Sequence, residues 1–428
     1  MVLRFRFSNF RSFRGEQDIS LIASSLSDAP EATIEVPGSK ERALRVCAIY
    51  GANASGKTTV LRALAFMYAA VRHSHRAWEP DGGVPLECFK DSESAGRPSD
   101  FVLDFELAGV RYQYGFRADR SRIVEEWLFT YPSGRKQVWF HRKPTGGIMF
   151  GRSLPGDNQT IASLMRPNSL FLSVAAQNNH EHLKPIYSWF NYSLASVFGS
   201  GRRITRTAHM CANDEDRRAV LKLLSVADLG IIDVRYELQQ LDPAMQDKTK
   251  NIMEAMWKIL DLNPAGVPGS AAPKASIKLL HQIGAEIVPF DLDEESDGTL
   301  AYVGLLGPIV SALKMGSMLL VDELDASLHP LLAMHVIKIF NDAATNPKSA
   351  QLIFNTHDTN LLSHGLLRRD QIWFTEKDGT GASHVYPLTD FKPRRDENLQ
   401  GGYLQGRYGA IPFMNWEQSV PLEPNAQT

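Results

Sequence analysis

GANASGKT, Gly51–Thr58, stands between an apolar run, ALRVCAIY (Ala43–Tyr50), and a stretch in which Val60, Leu64, Met67, Tyr68 and Val71 recur at helical spacing. A glycine-rich turn joining a buried strand to a helix offers successive backbone N–H groups to an anion. The N-terminus of the helix adds partial positive charge. The pattern G-x-x-x-x-G-K-[ST] is met in full, in the strand–turn–helix context it requires. Gly51, Ala52, Asn53, Ala54, Ser55, Gly56, Lys57, Thr58 and Thr59 are therefore the candidate cradle for a nucleoside triphosphate. Within it Lys57 would reach the β- and γ-phosphates and Thr58 would give its hydroxyl to Mg²⁺.

A phosphate cradle needs carboxylates for its metal, and the sequence supplies them far downstream. LLVDELDASLHP, Leu319–Pro330, places Asp322, Glu323 and Asp325 directly after an apolar strand-like run. Such carboxylates are costly to bury unless something positive meets them. Paired with the loop at Gly51, Asp322 is expected to hold Mg²⁺, and Glu323 to orient or deprotonate the attacking water. Asp325 reads equally well as a helix N-cap. A further buried strand, QLIFNTHD (Gln351–Asp358), delivers His357, whose neutral imidazole is suited to contact the γ-phosphate and the water. EESDGT, Glu294–Thr299, is a polar turn before an apolar helix, and with Ser296 it forms a second potential phosphate nest.

Composition restricts the alternatives. The chain has 428 residues, 43% hydrophobic and 22% charged, which is enough for a large core. A net charge of -2 supplies no global field for DNA or RNA. Three scattered cysteines, Cys47, Cys88 and Cys211, argue against a disulfide framework and a zinc site, and the N-terminus lacks a signal-peptide core. A reducing cytoplasm is expected. Leu300–Val321 imitates a membrane span, but Lys314, Pro308 and the break at Met315–Ser317 favour a core helix feeding a core strand, so no membrane partner is expected.

The intervening chain changes texture twice. FVLDFEL, RYQYGFR, EEWLFTY and KQVWFHR predict an antiparallel β lobe at about residues 85–150. SWFNYSLASVF, DEDRRAVLKLLSVA and DPAMQDKTKNIMEAMWKILDL predict helices, ending in the Pro/Gly-rich NPAGVPGSAAPKA. The resulting division is 1–178 for an N-terminal half, 179–284 for a compact, mainly helical insertion, and 285–428 for a C-terminal half. Basic groups in GRRITR and at Arg217 and Arg218 lie beside Asp214, Glu215 and Asp216, and read as a solvated face rather than a nucleic-acid patch.

These motifs, in this order, resemble the ABC-type ATPases of the SMC and RecF kind. NFRSF (Asn9–Phe13), GANASGKT, SDGT, LLVDELD and His357 carry the likeness. It implies an α/β P-loop NTPase of ABC/SMC-head type that binds ATP and Mg²⁺. By the same resemblance Asp322 is the Walker B aspartate, Glu323 the catalytic glutamate and Asp325 the D-loop residue. Ser296, Gly298 and Thr299 become the signature that caps ATP across a head-to-tail dimer. Arg11 and Ser12 join the nucleotide contacts, and Gln177, in SLFLSVAAQN, becomes a glutamine contacting Mg²⁺. The signature departs from Leu-Ser-Gly-Gly, with Asp297 in place of the first glycine.

A narrower resemblance is to bacterial single-chain ATPases of the AAA_15 and AAA_21 type, which include RloA- and AbiLi-like phage-defence proteins and the ATPase half of OLD-family nucleases. It rests on ISLIAS, VDELDASLHP, LIFNTHDTNLL, LRRDQIWFTEKD and YLQGRYGAIPF. It implies an ATP-hydrolysing switch that closes as a dimer or higher oligomer and controls a separate effector encoded nearby. The alternatives are a DNA-binding ATPase of repair, or a nucleotide-gated scaffold with little turnover.

Overall fold

The structure is a computed structural model describing residues 1–198, 203–239, 274–363 and 365–412. The chain divides into two compact units, Met1–Ser196 with Met315–Asp325 and Ala333–Thr428, and Val197–Lys314 with Ala326–Leu332.

The first unit is built on two sheets. One has six strands in the order Leu194–Val197, Met318–Val321, Gln351–Asn355, Val46–Gly51, Ile372–Lys377 and Ser383–Pro387. The four strands from Met318–Val321 to Ile372–Lys377 are mutually parallel. Every residue of Val46–Gly51, Met318–Val321 and Gln351–Asn355 is buried, which is why these strands read as continuous apolar runs. Parallel register has a functional consequence: Val321 pairs with Phe354, and Asn355 with Ile49, so their C-terminal ends lie along one edge. The helix Lys57–His73 leaves that edge and buries Val60, Leu61, Leu64, Met67, Tyr68 and Val71.

The other sheet is antiparallel and seven-stranded, ordered Ile148–Phe150, Gln137–Arg142, Ile123–Tyr131, Val110–Ala118, Ser99–Leu107, Val2–Ser8 and Gln17–Ser20. The expected β lobe thus recruits the N-terminal strand, whose Phe5 and Phe7 are buried. An α/β P-loop architecture carrying an antiparallel lobe is what the motifs predict. Two buried polar side chains tie its parts together. Gln351 takes the Val2 N–H on Oε1 at 2.7 Å and donates from Nε2 to the carbonyls of Val2 and Leu44, each at 3.0 Å. Glu126, on a lobe strand, accepts from the backbone N–H groups of Phe171 (2.6 Å) and Leu172 (3.1 Å) and from the Tyr114 hydroxyl (2.9 Å). It therefore caps the helix Phe171–Gln177, whose own N-cap residue, Leu170, has no acceptor side chain.

The second unit differs from the mainly helical insertion expected. Helices Arg203–Cys211, Asp214–Leu224 and Asp297–Met315 accompany a three-stranded antiparallel sheet of Ile231–Gln239, Lys274–Ile283 and Glu286–Phe290. In IIDVRYEL the alternation of Val234 and Tyr236 with Asp233, Arg235 and Glu237 is the period-two pattern of a strand. Residues 285–314, expected with the C-terminal half, group with this unit. The helix expected at 242–262 and most of the Pro/Gly-rich stretch after it lie outside the described residues. Asn213 caps the Asp214–Leu224 helix, and Arg217 pairs with Asp214 and Asp233. The apolar helix Asp297–Met315 has 61% of its most apolar window buried, which fits a core helix. At Pro308, which cannot donate, the Thr207 hydroxyl enters the helix, donating to the Val303 carbonyl (2.8 Å) and accepting from Gly307 N (3.0 Å).

Replacing Glu126 by leucine strands two buried amide donors at a helix start. The expected loss is about 1–3 kcal/mol, read as a lower urea midpoint with an unchanged m-value.

Candidate functional site

The phosphate loop is shaped by what presses on it. A Cβ on Gly51 would lie 2.4 Å from the Thr375 carbonyl and 2.7 Å from Ser55 Oγ, so only glycine fits. Gly56, at φ 117°, caps the helix Lys57–His73 and abuts the Phe13 ring. Ser55 bonds through its hydroxyl to Thr375 Oγ1 at 2.6 Å, which braces the loop against the neighbouring strand. Asn53 and Ala54 are exposed at the tip, Ala54 in the left-handed region. Thr59 is partly buried in the first helical turn.

Lys57 is buried, and its ammonium donates to the carbonyls of Gly51 (2.8 Å) and Ala52 (2.9 Å). Burial is the main influence on its pKa and lowers it to about 8, against the opposing pull of Asp325, Glu323 and Asp322. The acidic strand end and the loop therefore share one electrostatic site.

Their direct link is a hydrogen bond. Thr58 Oγ1 donates to Asp322 Oδ1 at 2.8 Å, across 264 positions of sequence. Asn355, a residue that the sequence reading passed over, completes the junction. It is 1% exposed, donates from Nδ2 to the same Asp322 oxygen at 2.6 Å, and receives the Glu323 N–H on its own Oδ1. Glu323 sits at φ 54°, the left-handed region that few non-glycine residues enter. Asp325 accepts the His357 N–H at 3.2 and 3.3 Å, joining the ends of the strands Met318–Val321 and Gln351–Asn355. His357 is half in solvent. Partial burial and then the Lys57 charge lower its pKa, against the opposing pull of Asp325 and Glu323, and so favour the neutral imidazole.

The remaining candidates are placed as follows. Ser12 accepts the Ser383 N–H on its carbonyl at 2.7 Å, beside Phe13 and hence beside Gly56. Arg11 pairs with Glu87 at 2.5 Å, so its guanidinium is committed to a salt bridge rather than to the loop. Gln177 is a correction. It ends the helix Phe171–Gln177, is exposed, and bonds to the Tyr187 hydroxyl at 3.3 Å, which in turn donates to the Arg72 carbonyl at 3.1 Å. Arg72 lies about 20 Å along the helix from Thr58 at 1.5 Å per residue, so Gln177 stands at the far end from the Thr58 hydroxyl. In the second unit, Ser296 caps the Asp297–Met315 helix by accepting Thr299 N–H at 3.1 Å and bonding Thr299 Oγ1 at 2.9 Å. A Cβ on Gly298 would lie 3.1 Å from the Ser327 carbonyl.

The donor set at the strand edge, a hydroxyl and a carboxylate, consists of oxygens alone and suits a hard cation such as Mg²⁺. Among the described residues no group of three or more His, Cys, Asp or Glu side chains could hold a metal by itself, so phosphate oxygens and water would supply the other ligands.

A family model for an AAA domain, AAA_21, described as putative AbiEii toxin, Type IV TA system, matches residues 46–363. No curated protein matches the chain. Among solved structures the chain is similar to the SMC head domain from Thermotoga maritima, at 14% identity and TM-score 0.41, covering 90% of this chain and 98% of that one. A Smc head bound to the C-terminal winged-helix domain of ScpA is similar at 13% identity and TM-score 0.39, with 90% and 96% covered. A third, a Smc head with an extended coiled coil bound to a ScpA domain, derived from Pyrococcus furiosus, shows 12% identity and TM-score 0.37, with 91% and 97% covered.

Two expectations follow from the site. Asn355→Leu removes the donor that orients Asp322 and the acceptor that holds Glu323. Steady-state phosphate release should fall about 10- to 100-fold, with a weaker apparent Mg²⁺ affinity in a metal titration. Lys57 must be protonated to meet a triphosphate, and its pKa without nucleotide is about 8. Binding then takes up a proton above that pH, and the Kd for ATP should rise, by at most about tenfold per pH unit, between pH 8 and 9.5. Lys57→Arg, charged throughout, should flatten that rise in a fluorescent-nucleotide titration.

Proposed function

The chain belongs to the AAA_21 family of AAA domains, and from that premise we propose that it is a Mg²⁺-dependent ATP hydrolase working as a nucleotide-driven switch. The observation that carries the reading is the Thr58–Asp322 hydrogen bond, which brings the phosphate loop and the carboxylate strand to one point. Backbone N–H groups of Gly51–Thr58 and the Lys57 ammonium bind and orient the triphosphate. Thr58 and Asp322 would hold Mg²⁺, with Asn355 fixing the rotamer of Asp322. The ion, when bound, neutralises charge on the β- and γ-phosphates. Glu323 accepts the proton of the attacking water, and neutral His357 donates a hydrogen bond toward the γ-phosphate.

In this reading two copies close head to tail, each offering Ser296, Gly298 and Thr299 at a helix N-terminus to the nucleotide of the other. Hydrolysis reopens them, and that cycle controls a separate effector. The role we infer from the sequence resemblance is in bacterial defence against phage; the family itself is described as a putative AbiEii toxin of a type IV toxin–antitoxin system.

Glu323→Gln should lower phosphate release by about 10²- to 10⁴-fold while nucleotide binding persists; unchanged turnover would remove Glu323 from its role. In that background, light scattering with ATP should show a dimer, and adding Ser296→Arg should return the monomer. A dimer that survives the arginine would refute the shared-nucleotide arrangement.

A further inference from the structure

YLQGRYGAIPF, Tyr403–Phe413, is foreign to ATP chemistry by its residue types, yet its described part folds back on the nucleotide edge. A short helix, Leu399–Leu404, is capped by Asn398, whose side chain accepts Gly401 N–H at 2.8 Å. After it the chain reverses. Tyr408 is 1% exposed, bonds to Glu397 Oε1 at 2.7 Å, and lies so close to Gly402 that a Cβ there would meet its hydroxyl at 2.8 Å. The Tyr403 hydroxyl donates to the Ala410 carbonyl at 3.1 Å, and Ala410 N–H returns to Glu376 at 3.1 Å. The segment is thus a small closed clasp rather than a trailing end.

The clasp touches both sides of the site. On one side Tyr403 and Tyr408 stack on Phe374 at 5.4 and 5.8 Å, and Tyr403 meets Tyr50 edge-on at 5.9 Å. Tyr50 is the residue immediately before Gly51, and Phe374 is its partner in the sheet. On the other side Gln400 Nε2 donates to Thr359 Oγ1 and Asn360 Oδ1, each at 3.3 Å. Those residues follow His357 by two and three positions. Between His357 and Asn360 the loop is otherwise held by short-range bonds, Asp358 N–H to Thr356 Oγ1 and Asn360 to the Asp358 carboxylate, and by Asp325.

We propose that the segment Asn398–Ala410 is a positioning element for the ATPase site, in which Gln400 sets the loop that carries His357 against the aromatic stack beneath Tyr50. This rests on the hydrolase reading and extends it to residues that contact no nucleotide. Gln400 acts through the loop, so it should affect turnover more than binding.

The test is Gln400→Leu in the full chain, with Asn398→Ala, which loosens the same helix, as the second variant. For each, kcat should fall about 10- to 100-fold with the KM for ATP within about twofold of wild type. The melting temperature should hold for Gln400→Leu, and in both variants amide exchange at residues 357–362 should accelerate. Wild-type kcat in both variants, or kcat and KM shifting together with a lowered melting temperature, would overturn the proposal. If the wild-type chain shows no turnover sensitive to Glu323→Gln, the hydrolase reading fails by itself. The exchange measurement then decides alone: faster exchange at 357–362 upholds the clasp, and unchanged exchange ends it.

Discussion

A carboxylate at the end of a buried strand has to be met by donors, and at Asp322 two of them converge on one oxygen. Thr58 comes from the first turn of the phosphate-loop helix and Asn355 from the adjoining strand. Neither would reach without the parallel register that levels the C-terminal ends of Met318–Val321, Gln351–Asn355 and Val46–Gly51. Parallel pairing in turn demands that the strands be covered on both faces and joined by long crossovers. The antiparallel lobe lies within the connection from Val46–Gly51 to Met318–Val321. Much of the chain can therefore vary in form, so long as the three strand ends stay level.

Polar side chains do a share of the holding that apolar packing cannot direct. Burial raises the pKa of Glu126 while the two amides of the Phe171–Gln177 helix and Arg142 oppose that shift. Among the described residues its carboxylate is the only acceptor for those helix-start amides, which fixes where the helix begins. Gln351 behaves like a one-residue strand, giving and taking backbone bonds between the N-terminal strand and the parallel sheet. Hydrophobic contact is non-directional, so a lobe attached by it alone could slide. Arg368 and Arg369 belong with these staples: Arg369 pairs with Asp28, and Arg368 with Asp370, which also receives Ser24.

The phosphate loop and the carboxylate strand were legible because their chemistry leaves little choice of residue. Gly51 must be glycine beneath Thr375, and the carboxylates Asp322, Glu323 and Asp325 stand out directly after an apolar run. Asn355 was not legible, since an asparagine closing an aliphatic strand looks the same whether it ends the strand or bridges two segments of the candidate site. Gln177 was misplaced because local sequence says nothing about which end of a distant helix it will meet. The strands of the second unit were passed over for a related reason. In IIDVRYEL the apolar positions alternate with charges, and the helical DEDRRAVLKLL just before it suggested that one texture continued. Arg11 was read as a phosphate contact from its neighbours in NFRSF, but Glu87, 76 positions away, takes the charge.

Glu323 shows how the same junction holds two adjacent carboxylates in different ways. In a continuing strand, successive side chains would point to opposite faces of the sheet. The left-handed turn at Glu323 breaks that alternation, at a cost of about 1–3 kcal/mol for a non-glycine residue. The conformation persists because its surroundings impose it. Asn355 takes the Glu323 N–H on its side chain and the Leu324 N–H on its backbone carbonyl, at 3.0 Å for the latter. One buried asparagine thus orients Asp322 toward Thr58 and bends the chain immediately after it. The bend and the Asp322 carboxylate share a single support, so the geometry at Asp322 and that at Glu323 cannot be adjusted independently.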